Sequence, residues 1–177
     1  MQLRLAKLRV TRTDPTVKQN VFIMHSTLHK HLDESIKLEL NLAKLYTILH
    51  DHFTEDEDFW WQLAMEERGH ATLLQQEKKQ PQPLEFFPDN LLAKDLQSIV
   101  DANTKISTLI IAYTTTPPSR IEAFQAALEL EMSAGESHFQ QFLDSPSLSY
   151  SAKIFKQLNQ EDRDHAERIR NYLQKIK

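Results

Sequence analysis

The ten residues QLAMEERGHA at 62–71 return as QLNQEDRDHA at 157–166, with six positions identical and a carboxylate kept where Glu67 faces Asp162. The segments before them align as well. IKLELNLAKLY (36–46) lies over LELEMSAGESH (128–138), matching Leu38 with Leu130 and Glu39 with Glu131. The offsets are 95 and 92 residues, close enough to read as one duplicated unit of two segments. A repeat of this size is a supersecondary element that cannot bury its apolar face alone, so its neighbour must cover it.

The spacing within the repeat is helical. Leu63, Glu67, His70 and Leu74 advance by four, three and four residues, as do Leu158, Asp162, His165 and Ile169. Leu32, Ile36, Glu39, Ala43 and Tyr46 form a third such stripe, and Leu128, Glu131, Gly135, His138 and Phe142 a fourth. These are core-facing stripes. Composition agrees: two glycines in 177 residues leave little for sheets and tight turns, and the prolines fall in a few places. Residues 1 to about 25, broken by Pro15, read as an arm or short helix, and 26–177 as the main domain. Long helices are expected from Ser26 to Phe53, from Thr54 as N-cap to about Lys79, from Ser119 to about Leu143, and over 149–176. A further helix, about Leu91 to Tyr113, lies in the connection. The expected fold is all-α: a four-helix bundle of two duplicated helical hairpins with a long, helix-containing crossover.

Each stripe carries a carboxylate in mid-helix, and two follow it with a histidine three residues on. Four carboxylates inside a bundle would lose hydration and repel one another, at several kcal/mol per ion. A compensating positive charge is therefore required. Two divalent metals supply it, with imidazoles completing the coordination. Glu-x-x-His sets both side chains on one helix face, so each such helix offers two ligands. One Glu from each of two helices plus Glu-x-x-His from each of two others is the di-iron or di-manganese carboxylate arrangement. Carboxylate oxygen with imidazole suits iron or manganese, and with no cysteine there is no thiolate site, disulfide or iron–sulfur cluster.

With Glu39, Ala43 and Tyr46, FWWQLAMEERGHA (59–71), Glu131 and EDRDHA (161–166), the chain resembles the rubrerythrin-like branch of the ferritin-like di-iron proteins over residues 28 to 176. The resemblance implies Glu39 and Glu131 as terminal ligands, Glu67 and Asp162 as bridging ligands, and His70 and His165 as one nitrogen ligand per metal. It implies an oxidoreductase coupling ferrous oxidation to reduction of hydrogen peroxide or dioxygen, and pairing as a homodimer. Asp162 stands where the family has Glu. Glu161 and Glu66, each four residues before a histidine, could substitute as ligands. The further carboxylate of rubrerythrins, three residues past Glu131, is Ala134 here. Without cysteines for a rubredoxin domain, electrons are expected from a separate donor protein.

Other readings stand beside these. The acidic set could instead form salt bridges with Arg68 and Arg163. Tyr46 and His138, at equivalent repeat positions, could hydrogen-bond ligand carboxylates or simply pack. Gly69 and Gly135 suggest close helix approach or room beside the metals. His25, His29 and His31 are expected on the surface, residues 55–58 on a solvated helix start, and Trp60 and Trp61 in the core or a dimer contact. Iron storage without turnover, a metal-free interaction bundle and oxidation of an organic substrate remain alternatives. A net charge of −4 argues against nucleic acid. No apolar run reaches membrane-spanning length, and the charged N-terminus lacks a signal peptide's apolar stretch, so no membrane partner and a cytoplasmic location are expected.

Overall fold

The computed structural model describes residues 15–79, 96–143 and 150–176, with side chains at 29–79, 96–133 and, apart from 159 and 162, 157–176. The chain is all-α, comprising α1 Pro15–His52, α2 Glu57–Lys78, α3 Leu96–Thr115, α4 Arg120–Leu143 and α5 Tyr150–Ile176. A single 3-10 turn, Thr54–Asp56, joins α1 to α2. Among the described residues there is no strand, and no helix is long and apolar enough to cross a membrane.

Most helix ends follow the expected signals. Pro15, however, opens α1 and does not break the chain there, because its preset φ and missing N–H suit a first helical turn. α1 therefore runs unbroken past residue 25. Ser119 caps α4 through a reciprocal box: its N–H donates to Glu122 Oε2 at 2.8 Å, and the Glu122 N–H donates to Ser119 Oγ at 3.3 Å. Thr54 does not cap α2; it starts the 3-10 turn, and α2 begins only at Glu57. The QPQP break and the start of the crossover helix lie outside the described residues.

The acidic run is not uniformly solvated. Asp56 is only 2% exposed, whereas Glu55, Glu57 and Asp58 face solvent. Its carboxylate accepts Arg120 Nε at 2.7 Å, Arg120 Nη2 at 2.5 Å and the Tyr172 hydroxyl at 2.7 Å. One side chain thus ties the α1–α2 turn to the start of α4 and the last turns of α5. Beside it lies an aromatic cluster. Trp60 is fully buried, with its ring 4.3 Å from Phe124, 5.4 Å edge-on from Phe59 and 5.8 Å from Tyr46, while Phe124 stacks on Tyr172 at 5.0 Å. Trp60 is core; Trp61, one residue on, is 45% exposed.

α1 lies along α2 and α3, α4 lies along α5, and α2 touches α5. One core runs through them, including Leu42, Leu45 and Leu49 of α1, Leu63 of α2, Ile106 of α3, Leu130 of α4 and Ile169 of α5. The α1–α3 seam is partly polar. Buried Asn103 donates to the Glu34 carbonyl and carboxylate, both at 2.9 Å, and accepts Asn41 Nδ2 at 2.9 Å. His31 is buried and His29 half-buried, contrary to the surface expected of them. Close approach does not explain Gly69: a Cβ built there meets nothing within 4 Å. The surroundings of Gly135 lie outside the described residues.

Two stability measurements follow. Asp56→Ala removes the hydrogen bonds that Arg120 and Tyr172 donate to a buried carboxylate and should cost about 2 kcal/mol in urea unfolding; a loss near zero would show that the tie contributes nothing. Gly69→Ala should stabilise the chain by about 1 kcal/mol, since helix propensity improves with no clash.

Candidate metal centre

The helical register of each stripe carries its polar residues to one place. Five of the six expected ligands meet there: Glu39 from α1, Glu67 and His70 from α2, Glu131 from α4 and His165 from α5. They form two groups, Glu39–Glu67–His70 and Glu67–Glu131–His165, with the ligand atoms of each group within 4.8 Å of one another. The side chain of Asp162 lies outside those described.

Glu67 belongs to both groups and gives one oxygen to each. Its Oε2 lies 3.1 Å from His70 Nδ1 and its Oε1 3.0 Å from His165 Nδ1. Glu39 Oε2 lies 3.6 Å from His70 Nδ1, and Glu131 Oε2 3.7 Å from His165 Nδ1. Two donors each about 2.1 Å from a common ion, at angles of about 90° to 120°, stand about 3.0 to 3.6 Å apart. The separations therefore suit ligands of a shared ion. Glu67 Oε1 and His165 Nδ1 add a second sign: both are buried, and although they stand 3.0 Å apart neither is aligned for a hydrogen bond to the other or to another group. Buried polar atoms rarely go without a partner. Here the two stand 3.0 Å apart within one ligand group, so the residues fit a bound cation.

The far edges of the imidazoles are held crosswise. His70 Nε2 donates to Glu161 Oε2 of α5 at 2.8 Å, and His165 Nε2 lies 3.1 Å from Glu66 Oε2 of α2. The two rings stack at 5.3 Å, only 10° from parallel. Glu66 and Glu161, weighed above as substitute ligands, thus sit on the opposite side of the rings from the shared carboxylate. A carboxylate on the outer nitrogen fixes the orientation of a ligating imidazole and raises its basicity. Gln157 donates to Glu161 at 2.8 Å, and Gln62 to Glu66 at 3.0 Å. Arg168 also grips Glu66 through both terminal nitrogens.

Arg168 has no counterpart in the sequence reading, which weighed Arg68 and Arg163. Arg68 instead leaves the cluster, reaching Thr47 Oγ1 at 3.2 Å and lying over the Trp61 ring. The signal for the cross-pairing was present in the sequence, in identical Glu residues at one repeat position, four before each histidine. Tyr46 donates its hydroxyl to Glu131 Oε1 at 2.5 Å, short and fully buried. The side chain of His138 lies outside those described.

Burial and charge set the protonation of the metal-free cluster. Burial opposes protonation of His70, but hydrogen bonds to Glu39 and Glu67 and their charges override it and carry the imidazole from 6.5 to about 12. His165 behaves alike, raised to about 10 by Glu131 and Glu67 against the opposing burial. Burial lifts Glu39 from 4.5 to about 8, with His70 pulling it down and Glu67 pushing it up. Glu66 goes the other way: Arg168 and Gln62 outweigh burial and hold it below its ordinary value.

Comparison with family models, with curated proteins and with solved structures gave no match to this chain. The centre is read from its own geometry.

The three raised groups act in one direction on the metal-free protein. Between pH 4.5 and 8 folded Glu39 keeps a proton that the unfolded chain has lost, so stability falls as pH rises. The histidines contribute stability that is complete below 6.5 and drains away as pH climbs towards about 10 and 12. Chelator-treated protein should therefore melt several degrees lower at pH 9 than at pH 6, and Glu39→Gln should flatten the lower part of that slope. A midpoint rising over this range would contradict the assignment.

Proposed function

We propose that this chain is a di-metal carboxylate protein, holding two iron ions (or manganese) in a ferritin-like four-helix bundle of duplicated hairpins. We take it to be an oxidoreductase of the rubrerythrin-like type. The observation that carries the reading is Glu67, whose two oxygens each face a different imidazole, each group being closed by one further Glu. Iron in such a site supplies electrons for reduction of hydrogen peroxide or dioxygen, and a separate donor protein would restore them.

The chain's own residues have definable parts. Glu39 and His70 serve one ion, Glu131 and His165 the other, and Glu67 both. Asp162 is the sixth ligand on the strength of the repeat. Glu161 and Glu66 hold the outer nitrogens of the imidazoles, so the inner nitrogens stay turned towards the shared carboxylate. Tyr46 occupies one oxygen of Glu131 with its hydroxyl proton and leaves the other for the cluster. Among the described ligands Glu39 has most access to solvent, its side chain 13% exposed against 3% or less for Glu67, His70, Glu131 and His165.

A second reading, a metal-free bundle, draws on the charge balance. Two imidazolium groups among three carboxyl groups approach neutrality without an ion. Against it stand the buried and unbonded Glu67 Oε1 and His165 Nδ1, which a closed hydrogen-bond network would not leave.

Metal analysis separates the two. Protein purified anaerobically from cells supplied with iron and manganese should carry about two ions per chain. Glu67→Ala should lose both and Glu39→Ala about one, with helical content unchanged. Ferrous wild type should then consume peroxide faster than free iron does. A folded wild type that binds no metal would sink the proposal. Two tightly held ions with no peroxide or dioxygen turnover would reduce it to metal binding.

A further inference from the structure

On the outer side of the histidine pair, α2 and α5 part to leave a groove of about 800 Å³. That volume is within the range of sites for small organic molecules, about 300–1,000 Å³. Met65, Arg68, Gly69 and Leu73 line its α2 side, Glu161, Asp164 and Arg168 its α5 side, and His70 and His165 its floor. We propose that this groove binds an amphipathic organic anion, its apolar body along Met65, Gly69 and Leu73 and its carboxylate or phosphate head on Arg68.

Gly69 is the first ground. A glycine in mid-helix costs about 1 kcal/mol relative to alanine, and nothing in the fold requires it, since an added Cβ would meet no atom within 4 Å. What a side chain there would occupy is the groove itself. Met65 is the second: 43% exposed at the groove edge, it offers a flexible thioether surface that adapts to a ligand's shape. Charge is the third. Glu66 of α2 and Arg168 of α5, both lining the groove, neutralise each other, and Glu161 is held by His70. Among the described residues the side-chain contacts of Arg68 are all neutral: the Thr47 hydroxyl, the Met65 sulfur and the Trp61 ring. Across the groove Asp164 meets, among the described residues, only the Gln160 amide, at 3.0 Å. The α5 rim therefore repels an anionic head and the α2 rim receives it. A ligand so placed lies against the outer edges of both imidazoles.

The test uses the full chain stripped of metal by chelator, titrated with dansyl-undecanoate, a fluorescent fatty acid, so the outcome does not depend on whether the centre loads. Saturable binding of one probe per chain is expected. Gly69→Leu, which projects a side chain into the path of the apolar body, and Arg68→Gln, which removes the charge, should each weaken it about tenfold, or about 1.4 kcal/mol. Asp164→Asn should tighten it. Laurate or dodecyl phosphate should displace the probe, the stronger competitor identifying the head group. Gly69→Leu adds a better helix former in open space, and Arg68 is exposed, so neither variant should lose helicity or melt below wild type. Non-saturable binding, equal affinity in both variants, equal affinity for the uncharged dansyl-undecanol, or failure of both competitors would overturn the proposal. Loss of probe binding with two metals still bound would leave the centre standing, and probe binding without metal uptake would leave the groove standing.

Discussion

Glu67 is a carboxylate with no access to water, held where four helices converge. Such a group is tolerated only if opposite charge reaches it, because the dehydration cost of an isolated buried ion is several kcal/mol. The cluster's geometry meets that demand. One imidazole stands at each oxygen, each imidazole meets a second carboxylate on its inner face, and a further carboxylate holds each outer face. Moving any of these helices by a fraction of a turn would leave a buried charge unmatched. The centre therefore constrains the register of α1, α2, α4 and α5 together.

Such a polar centre can persist only where other contacts carry the packing. Most of the apolar core and the aromatic group around Trp60 lie towards the α1–α2 turn, where Asp56 also grips Arg120 and Tyr172. A bidentate pair with a buried carboxylate is directional as well as strong, and it aligns α4 and α5 on the turn between the first two helices. At the other side of the histidines, α2 and α5 border the groove. The groove there is bordered by the same side chains that steady the imidazoles, which brings any occupant within contact of the centre without entering it.

The helices were legible in the sequence because an apolar stripe at helical spacing, with a cap and a stop, is a local property. Ser119 with Glu122 shows this, and the end of α1 near Phe53 does as well. Pro15 and Thr54 misled for a local reason, since one residue type can open an element or end it. Asp56 was misread because its place among four acids suggested a solvated helix start. Its partners come from 64 and 116 residues away, and no window along the chain contains them. The glycine at 69 was legible as an anomaly, but only the open space beside it separates room for a ligand from close helix approach.

The repeat by itself determined the class of helix and the residue types that share a face, because side chains three and four apart in a helix must neighbour one another whatever else happens. It paired Glu67 with His70 and set Glu39 and Glu131 at matching positions. Tertiary structure decided which oxygen meets which nitrogen, that Tyr46 reaches Glu131 across 85 residues, and that Arg168, not Arg68, supports the cluster. It also decided that Glu66 and Glu161 serve the opposite helix's histidine. Those outcomes depend on how helices cross and on which charges must be matched once water is excluded, and neither is encoded in the spacing along one strand of chain.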